Sequence, residues 1–236
     1  MLTLWLAACA QQPPLPPLNL AEPLPAVGAQ FETERRYVAD HDHEAHHVQA
    51  DSDVARSEWL FWRQDARVEM LIPARQAGEA WLRDGNAVFH QKLFHADHKI
   101  VEYQDADLDA LQVSVNWNAR LLLLDPQVLQ QLQVKDEYWQ DGHPLRELAG
   151  TVAGIQYEVI WRLDLNLPQL LRKQDAAGNL EITRLLDAQP LTAFSVKAPD
   201  SSRYEIIDYA DLGDRERDPF IARIQNQLPG GHVHTH

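Results

Sequence analysis

Between residues 31 and 103, apolar and polar positions come in short runs broken by turn residues, the pattern of successive β-strands. Runs over 57–62 and 66–72 are separated by Arg63-Gln64-Asp65. Val68, Met70 and Ile72 alternate with Glu69 and Leu71, a period of two with one exception. Residues 73–78 read as a turn region. Runs over 79–82 and 87–94 flank Arg83-Asp84-Gly85-Asn86, and because Asp-Gly accepts positive φ the pair predicts a hairpin. His95-Ala96-Asp97-His98 is a second turn, followed by a run over 99–103.

From residue 105 to 133 the period lengthens. Leu108, Leu111, Val115 and the run 121–124 are separated by polar residues at roughly helical spacing. Asp125-Pro126 opens a further helix, with Asp125 as N-cap and Pro126 at the first helical position. Val128, Leu129 and Leu132 give that helix an apolar face. Strands return after Val134, with runs over 145–149, 155–165 and 180–187. Asp141-Gly142 reads as a turn and Asp175-Ala176-Ala177-Gly178-Asn179 as a loop. Residues 194–196 and 204–209 are candidates to extend the sheet, and 218–227 predicts a short helix before Pro229-Gly230-Gly231. The pattern is that of a mainly β (α+β) domain with a central helical insert, without internal repeats.

Composition narrows the class. A chain of 236 residues fits one large domain or two small ones, and 45% hydrophobic positions allow a substantial core. The net charge of −14 argues against the basic face that nucleic-acid binding needs to neutralise phosphate. It argues equally against broad docking on anionic lipid. The single Cys allows neither an intramolecular disulfide nor a Cys-based zinc site.

That Cys stands in an informative place. Leu6-Ala7-Ala8-Cys9 closes a short apolar opening, and Gln11-Gln12-Pro13-Pro14-Leu15-Pro16-Pro17 follows. The order of apolar run, small residues, Cys and proline-rich stretch resembles the lipobox of bacterial lipoproteins. The resemblance implies cleavage before Cys9, a lipid on Cys9, and an outer-membrane-anchored protein facing the periplasm. Ala10 after the Cys is similar to the outer-membrane-directed pattern. Only eight residues precede Cys9 and none is Lys or Arg, whereas a secretory signal has a basic start. A true start upstream of Met1 is the expected reason. The alternative reading is a buried or incidental Cys near a frayed terminus. The expected organisation is a signal and lipobox over 1–9, a proline-rich tether over 10–30, one domain over 31–228 and a His-rich tail over 229–236. Proline-rich segments of this kind are extended, semi-rigid spacers.

Two blocks carry a second resemblance. The first is Ala66-Arg67-Val68-Glu69-Met70-Leu71-Ile72-Pro73, then Gly78-Glu79-Ala80-Trp81-Leu82-Arg83-Asp84-Gly85-Asn86-Ala87-Val88-Phe89. The second is Leu167-Pro168-Gln169-Leu170-Leu171, then Asp175-Ala176-Ala177-Gly178-Asn179. Together, over about a third of the chain, they resemble the LolA/LolB-like family of lipoprotein carriers and receptors. The resemblance implies a strongly curved, half-open antiparallel sheet with helices in its mouth as a lid. It further implies an apolar cavity for acyl chains or a lipidated partner, and no catalytic residues.

Histidine is the outlier, with 11 residues, seven of them in two tracts. The first tract holds His41, His43, His46 and His47 beside Asp40, Asp42 and Glu44; the second holds His232, His234 and His236. Alternate residues of an extended chain share a face, and imidazole suits zinc and copper, so both tracts are candidate metal ligands. A solvated loop and tail are the alternative. His90, His95 and His98, around a hairpin turn, read as polar turn and strand-surface positions. The block from Asp208 to Asp218 spaces its acids by three and lacks the terminal Glu of an EF-hand, so a solvated turn is expected. Trp59, Trp62, Trp81, Trp117, Trp139 and Trp161 can line either a cavity or an ordinary core. No Gly-x-Ser-x-Gly setting or Gly-rich phosphate loop is present, and no residue argues for an enzyme.

Overall fold

Tight turns fix the order of the strands. Asp141 and Gly142 have φ of 51° and 79°, and Ala153 and Gly154 have φ of 50° and 80°. Two successive positive φ values match the right-handed twist of the strands they join. The computed structural model describes residues 13–38, 54–215, 217–224 and 228. Among these, two meanders form one open sheet. The first comprises β1 (Val27–Arg36), β2 (Val54–Gln64), β3 (Arg67–Ile72), β4 (Ala77–Asp84), β5 (Ala87–Phe94) and β6 (Lys99–Tyr103). The second comprises β7 (Gln133–Gln140), β8 (His143–Val152), β9 (Ile155–Arg162), β10 (Leu167–Gln174) and β11 (Leu180–Pro190).

Strand β1 joins the meanders, pairing antiparallel with β2 and β11. A short β12 (Glu205–Asp208) completes the order β12-β6-β5-β4-β3-β2-β1-β11-β10-β9-β8-β7. Register shifts at Gln30/Phe31, Pro168/Leu170 and Val134/Asp136 mark bulges, which bend and twist a sheet. All three lie at or beyond β1 on the β7 side, and they curve that half over one face.

Two features differ from expectation. The sheet is antiparallel except at one edge, where β12 runs parallel to β6. After β11 the chain crosses the outer, convex face, long enough to arrive in the direction of β6. Phe194 of that crossing packs with Leu60, Trp62 and Leu71 instead of forming the strand expected over 194–196. A Cβ on Gly28 would lie 2.2 Å from the Phe194 ring, so Gly28 admits the crossing. The second difference is at the start: β1 begins at Val27, within the stretch assigned to the tether. Leu15, Leu18, Leu20 and Leu24 pack against the main core.

The insert contains α1 (Asp105–Ala110), α2 (Trp117–Leu122) and α3 (Pro126–Gln131). Asn116 Oδ1 accepts from the Ala119 amide at 3.0 Å, and Asp125 Oδ1 from the Gln127 amide at 2.7 Å, with Pro126 opening α3 as expected. A last helix, α4 (Pro219–Ile224), returns the chain to the concave face, where Phe220 packs edge-on against Phe94. No helix among the described residues is long and apolar enough to cross a membrane.

The convex face is held by charge. Glu34 of β1 is 3% exposed, with Arg36, Arg56 and Arg184 at 2.5, 3.3 and 3.7 Å. The Arg36 hydrogen bond and the surrounding guanidiniums hold the Glu34 carboxyl below its usual range. A carboxylate so shifted stabilises the fold above its unfolded pKa, near 4.5, and loses that contribution as pH falls through its folded value. Glu34→Gln is expected to melt below the parent at pH 7, and the gap should close as the pH falls through the lowered Glu34 value; thermal denaturation across pH checks this.

Candidate functional site

Side chains alternate faces along a strand, and the concave face collects the aromatic set. Phe31 and Trp59 stack at 4.5 Å, and Phe61 meets both edge-on. Trp81, Tyr103, Val159, Trp161 and Leu167 continue the surface across both meanders. Among the described residues no second sheet covers it. Instead the insert lays Leu108, Trp117, Leu121, Leu122 and Leu129 over the apolar face.

Helix α2 is seated by two reciprocal cation–π contacts. Arg120 of α2 lies 4.1 Å from the Trp81 ring of β4, and Arg83 of β4 lies 4.8 Å from the Trp117 ring of α2. Trp81 stacks on His90 at 4.1 Å, His90 on Tyr103 at 5.3 Å, and Tyr103 on Tyr209 at 4.6 Å. His90 Nε2 sits 3.0 Å from Glu79 Oε2. Burial pushes Glu79 up, but the His90 bond and the charges of His90 and Arg120 outweigh it and hold Glu79 below its usual range. Burial and the neighbouring Tyr209 and Asp107 push the Tyr103 phenol up. Tyr103 Oη and the indole nitrogens of Trp81, Trp117 and Trp161 are buried without a hydrogen-bond partner in the protein.

One end of the concavity converges on Arg63, the last concave-face residue of β2. Its Nη1 donates to the carbonyls of Leu121 at 2.8 Å and Asn166 at 3.2 Å. Its Nη2 donates to Leu165 at 2.5 Å and Pro25 at 3.0 Å, and its Nε to Pro25 at 3.1 Å. The side chain therefore ties β2 to helix α2, to the β9–β10 turn and to the N-terminal arm. Burial lowers its pKa to about 10, so it stays charged at neutral pH. Beside it is an open cleft of about 260 Å³, lined by Glu22, Pro23, Leu24, Arg63, Gln64, Asp65 and Leu121.

Some of the candidate residues named from sequence lie outside the described residues, and the rest are placed as follows. Cys9, His41, His43, His46, His47, His232, His234 and His236 lie outside the described residues. His90 is not on the strand surface: it is 4% exposed, because its place on β5 faces the concavity between Trp81 and Tyr103. His95 packs on Tyr204, with Nδ1 3.2 Å from its hydroxyl, and His98 ends a 3₁₀ turn with φ of 51°. The block after Asp208 forms a 3₁₀ run, Tyr209–Arg215. No group of three or more His, Cys, Asp or Glu among the described residues is placed to hold a metal ion. Of the tryptophans, 59, 81, 117 and 161 belong to the concave core, Trp62 to the convex face, and Trp139 Nε1 donates to the Pro13 carbonyl.

The fold expected from the family resemblance, an open curved sheet with a helical insert, is the one observed. Among solved structures the chain is similar to PNGF-II, at 9% identity and a TM-score of 0.41, over 82% of this chain and 34% of that one. It is similar to the MucA/MucB complex of Pseudomonas aeruginosa, at 17% identity and a TM-score of 0.42, over 75% and 54%. It is also similar to the LolA superfamily protein NE2245 of Nitrosomonas europaea, at 12% identity and a TM-score of 0.33, over 77% and 90%. The chain thus spans about a third of the PNGF-II chain and just over half of the MucA/MucB match. No family model and no curated protein matches it.

Sequence reasoning placed Arg63 in a turn. Its signal was register: 59, 61 and 63 share one face, and an Arg on an otherwise apolar stripe must find buried acceptors. Arg63→Leu leaves four carbonyls without their donor and is expected to cost about 3–5 kcal/mol of unfolding free energy, at roughly 1 kcal/mol or more for each unsatisfied buried acceptor. Arg63→Lys keeps the charge but not the fork and should recover less than half of that in urea denaturation.

Proposed function

We propose that this chain is a non-enzymatic envelope lipoprotein, anchored in the outer membrane through a lipid on Cys9 and facing the periplasm. It binds an apolar ligand or lipidated partner in the concavity of its sheet. The observation that carries the reading is the nature of the cover. An aromatic concave face is closed by three helices of six residues each rather than by a second sheet. Helices so short are marginal by themselves and depend on their seat. The seat of α2 combines the buried side chains of Trp117, Leu121 and Leu122 with two cation–π pairs and one Arg63 bond. Since insert side chains fill the face, a ligand enters as the insert lifts. The unpartnered donors of Trp81, Trp117 and Tyr103 suit a chain that brings an ester or amide carbonyl with its apolar tail.

A brominated long-chain fatty acid is expected to quench tryptophan fluorescence saturably. Arg120→Gln, which loosens α2 on Trp81, should tighten apparent affinity about two- to tenfold by raising the open fraction. Saturable quenching absent from both proteins, with their cooperative melts intact, would contradict the reading. Incorporation of labelled palmitate that Cys9→Ala abolishes is the expected sign of the anchor.

The His tracts carry a separate proposal, zinc or copper binding by His41, His43, His46, His47, His232, His234 and His236. Tight, stoichiometric titration of the chelator-stripped chain is expected if they act as a site, and weak, ill-defined binding if they are solvated decoration.

A further inference from the structure

The arm before β1 does not behave as a spacer. Four leucines of the arm, 15, 18, 20 and 24, turn toward the core, whereas Pro13, Pro14, Pro17, Asn19, Ala21, Glu22 and Pro23 stay exposed. Its polar contacts lie at its two ends. At one end the Pro13 carbonyl accepts from Trp139 Nε1 of β7 at 2.9 Å. At the other, the Glu22 carboxylate forms a two-point ion pair with Arg83 of β4, and the Pro25 carbonyl accepts from Arg63 of β2. Trp139, Arg83 and Arg63 each lie next to a hairpin turn, and these turns share one rim of the sheet. Between Pro13 and Glu22 the arm therefore bridges the two halves of the sheet along the rim where α2 ends. Among the described residues its one backbone amide bond in this stretch, Ala21 to Asn19 Oδ1, is local. In one-sided burial, carbonyls offered to side-chain donors and a single anchoring carboxylate, the arm has the contact pattern of a bound peptide.

We propose that this rim is a peptide-binding groove whose resident occupant is the arm. Its partner in trans is an extended, proline-broken polypeptide segment with leucines two to four residues apart and one carboxylate. Proline holds such a segment extended at low entropic cost. Trp139 and Arg63 read its carbonyls, Arg83 its carboxylate, and the apolar rim its leucines. The three donors come from different strands, so only a segment long enough to cross the rim engages all of them. Displacing the arm also withdraws Pro25 from Arg63, which frees part of the guanidinium that holds the end of α2. The groove stands independently of acyl binding.

The test is fluorescence anisotropy with a labelled synthetic peptide of residues 13–26. In the unaltered full chain the tethered arm competes at an effective concentration in the millimolar range, and weak binding is expected. In the full chain carrying Leu15→Ser, Leu20→Ser and Glu22→Gln, peptide affinity should rise about tenfold or more. A Glu22→Gln peptide, or Arg83→Gln in the protein, should weaken that binding several-fold, and a scrambled peptide should not bind saturably. Should the triple variant melt without cooperativity, Glu22→Gln alone provides the comparison, with a smaller rise expected. Equal affinity for altered and unaltered chains, or equal binding of the scrambled peptide, overturns the proposal. A fatty acid that binds without displacing the peptide leaves groove and concavity as separate sites.

Discussion

Burying a guanidinium is expensive unless its donors all find acceptors, and that constraint organises one end of this molecule. Arg63 meets it with five hydrogen bonds to four carbonyls from three other segments: the arm, helix α2 and the β9–β10 turn. None of these segments is adjacent to β2 in the sheet order, apart from the arm that leads into β1. The side chain cannot be satisfied until the two meanders have closed on β1 and the insert has settled. It therefore reports on, and enforces, the closed arrangement. A change in any one partner leaves a charged group short of acceptors.

The rest of the architecture follows from how an open sheet disposes of its apolar face. Bulges curve the half beyond β1, the convex side is covered by the chain crossing from β11 and by the Glu34 charge cluster, and the concave side receives the insert. Strand pairing and the stacked column Trp81–His90–Tyr103–Tyr209 give the sheet side many mutually supporting contacts. The insert side rests on short capped helices, held by their buried leucines and Trp117 and by cation–π pairs. The proposed binding in the concavity rests on that difference between a strand-paired sheet and a cover of short helices.

Much of the fold was legible in the sequence. Asp84-Gly85 announced a hairpin, Asp141-Gly142 a turn and Asp125-Pro126 the start of α3, because turn and cap chemistry is local. What was not legible depends on partners distant in the chain. β12 has only four residues, and its direction is set by the crossing before it. His90 looked like a turn residue, yet its strand register turns it into the aromatic column. The arm looked like a free tether because its prolines speak for extension, whereas its contacts with Trp139, Arg83 and Arg63 depend on residues distant in the chain. Register alone could have singled out Arg63.

The central claim is that the insert opens while the sheet persists. Native-state hydrogen exchange measures this most directly. Amides of residues 105–132 are expected to exchange through a sub-global opening at a lower free energy than amides of β1 and β11, and bound fatty acid should protect them selectively. Exchange of insert and sheet at one common free energy, unaffected by fatty acid, would show that the helices are a fixed part of the core and would contradict the account.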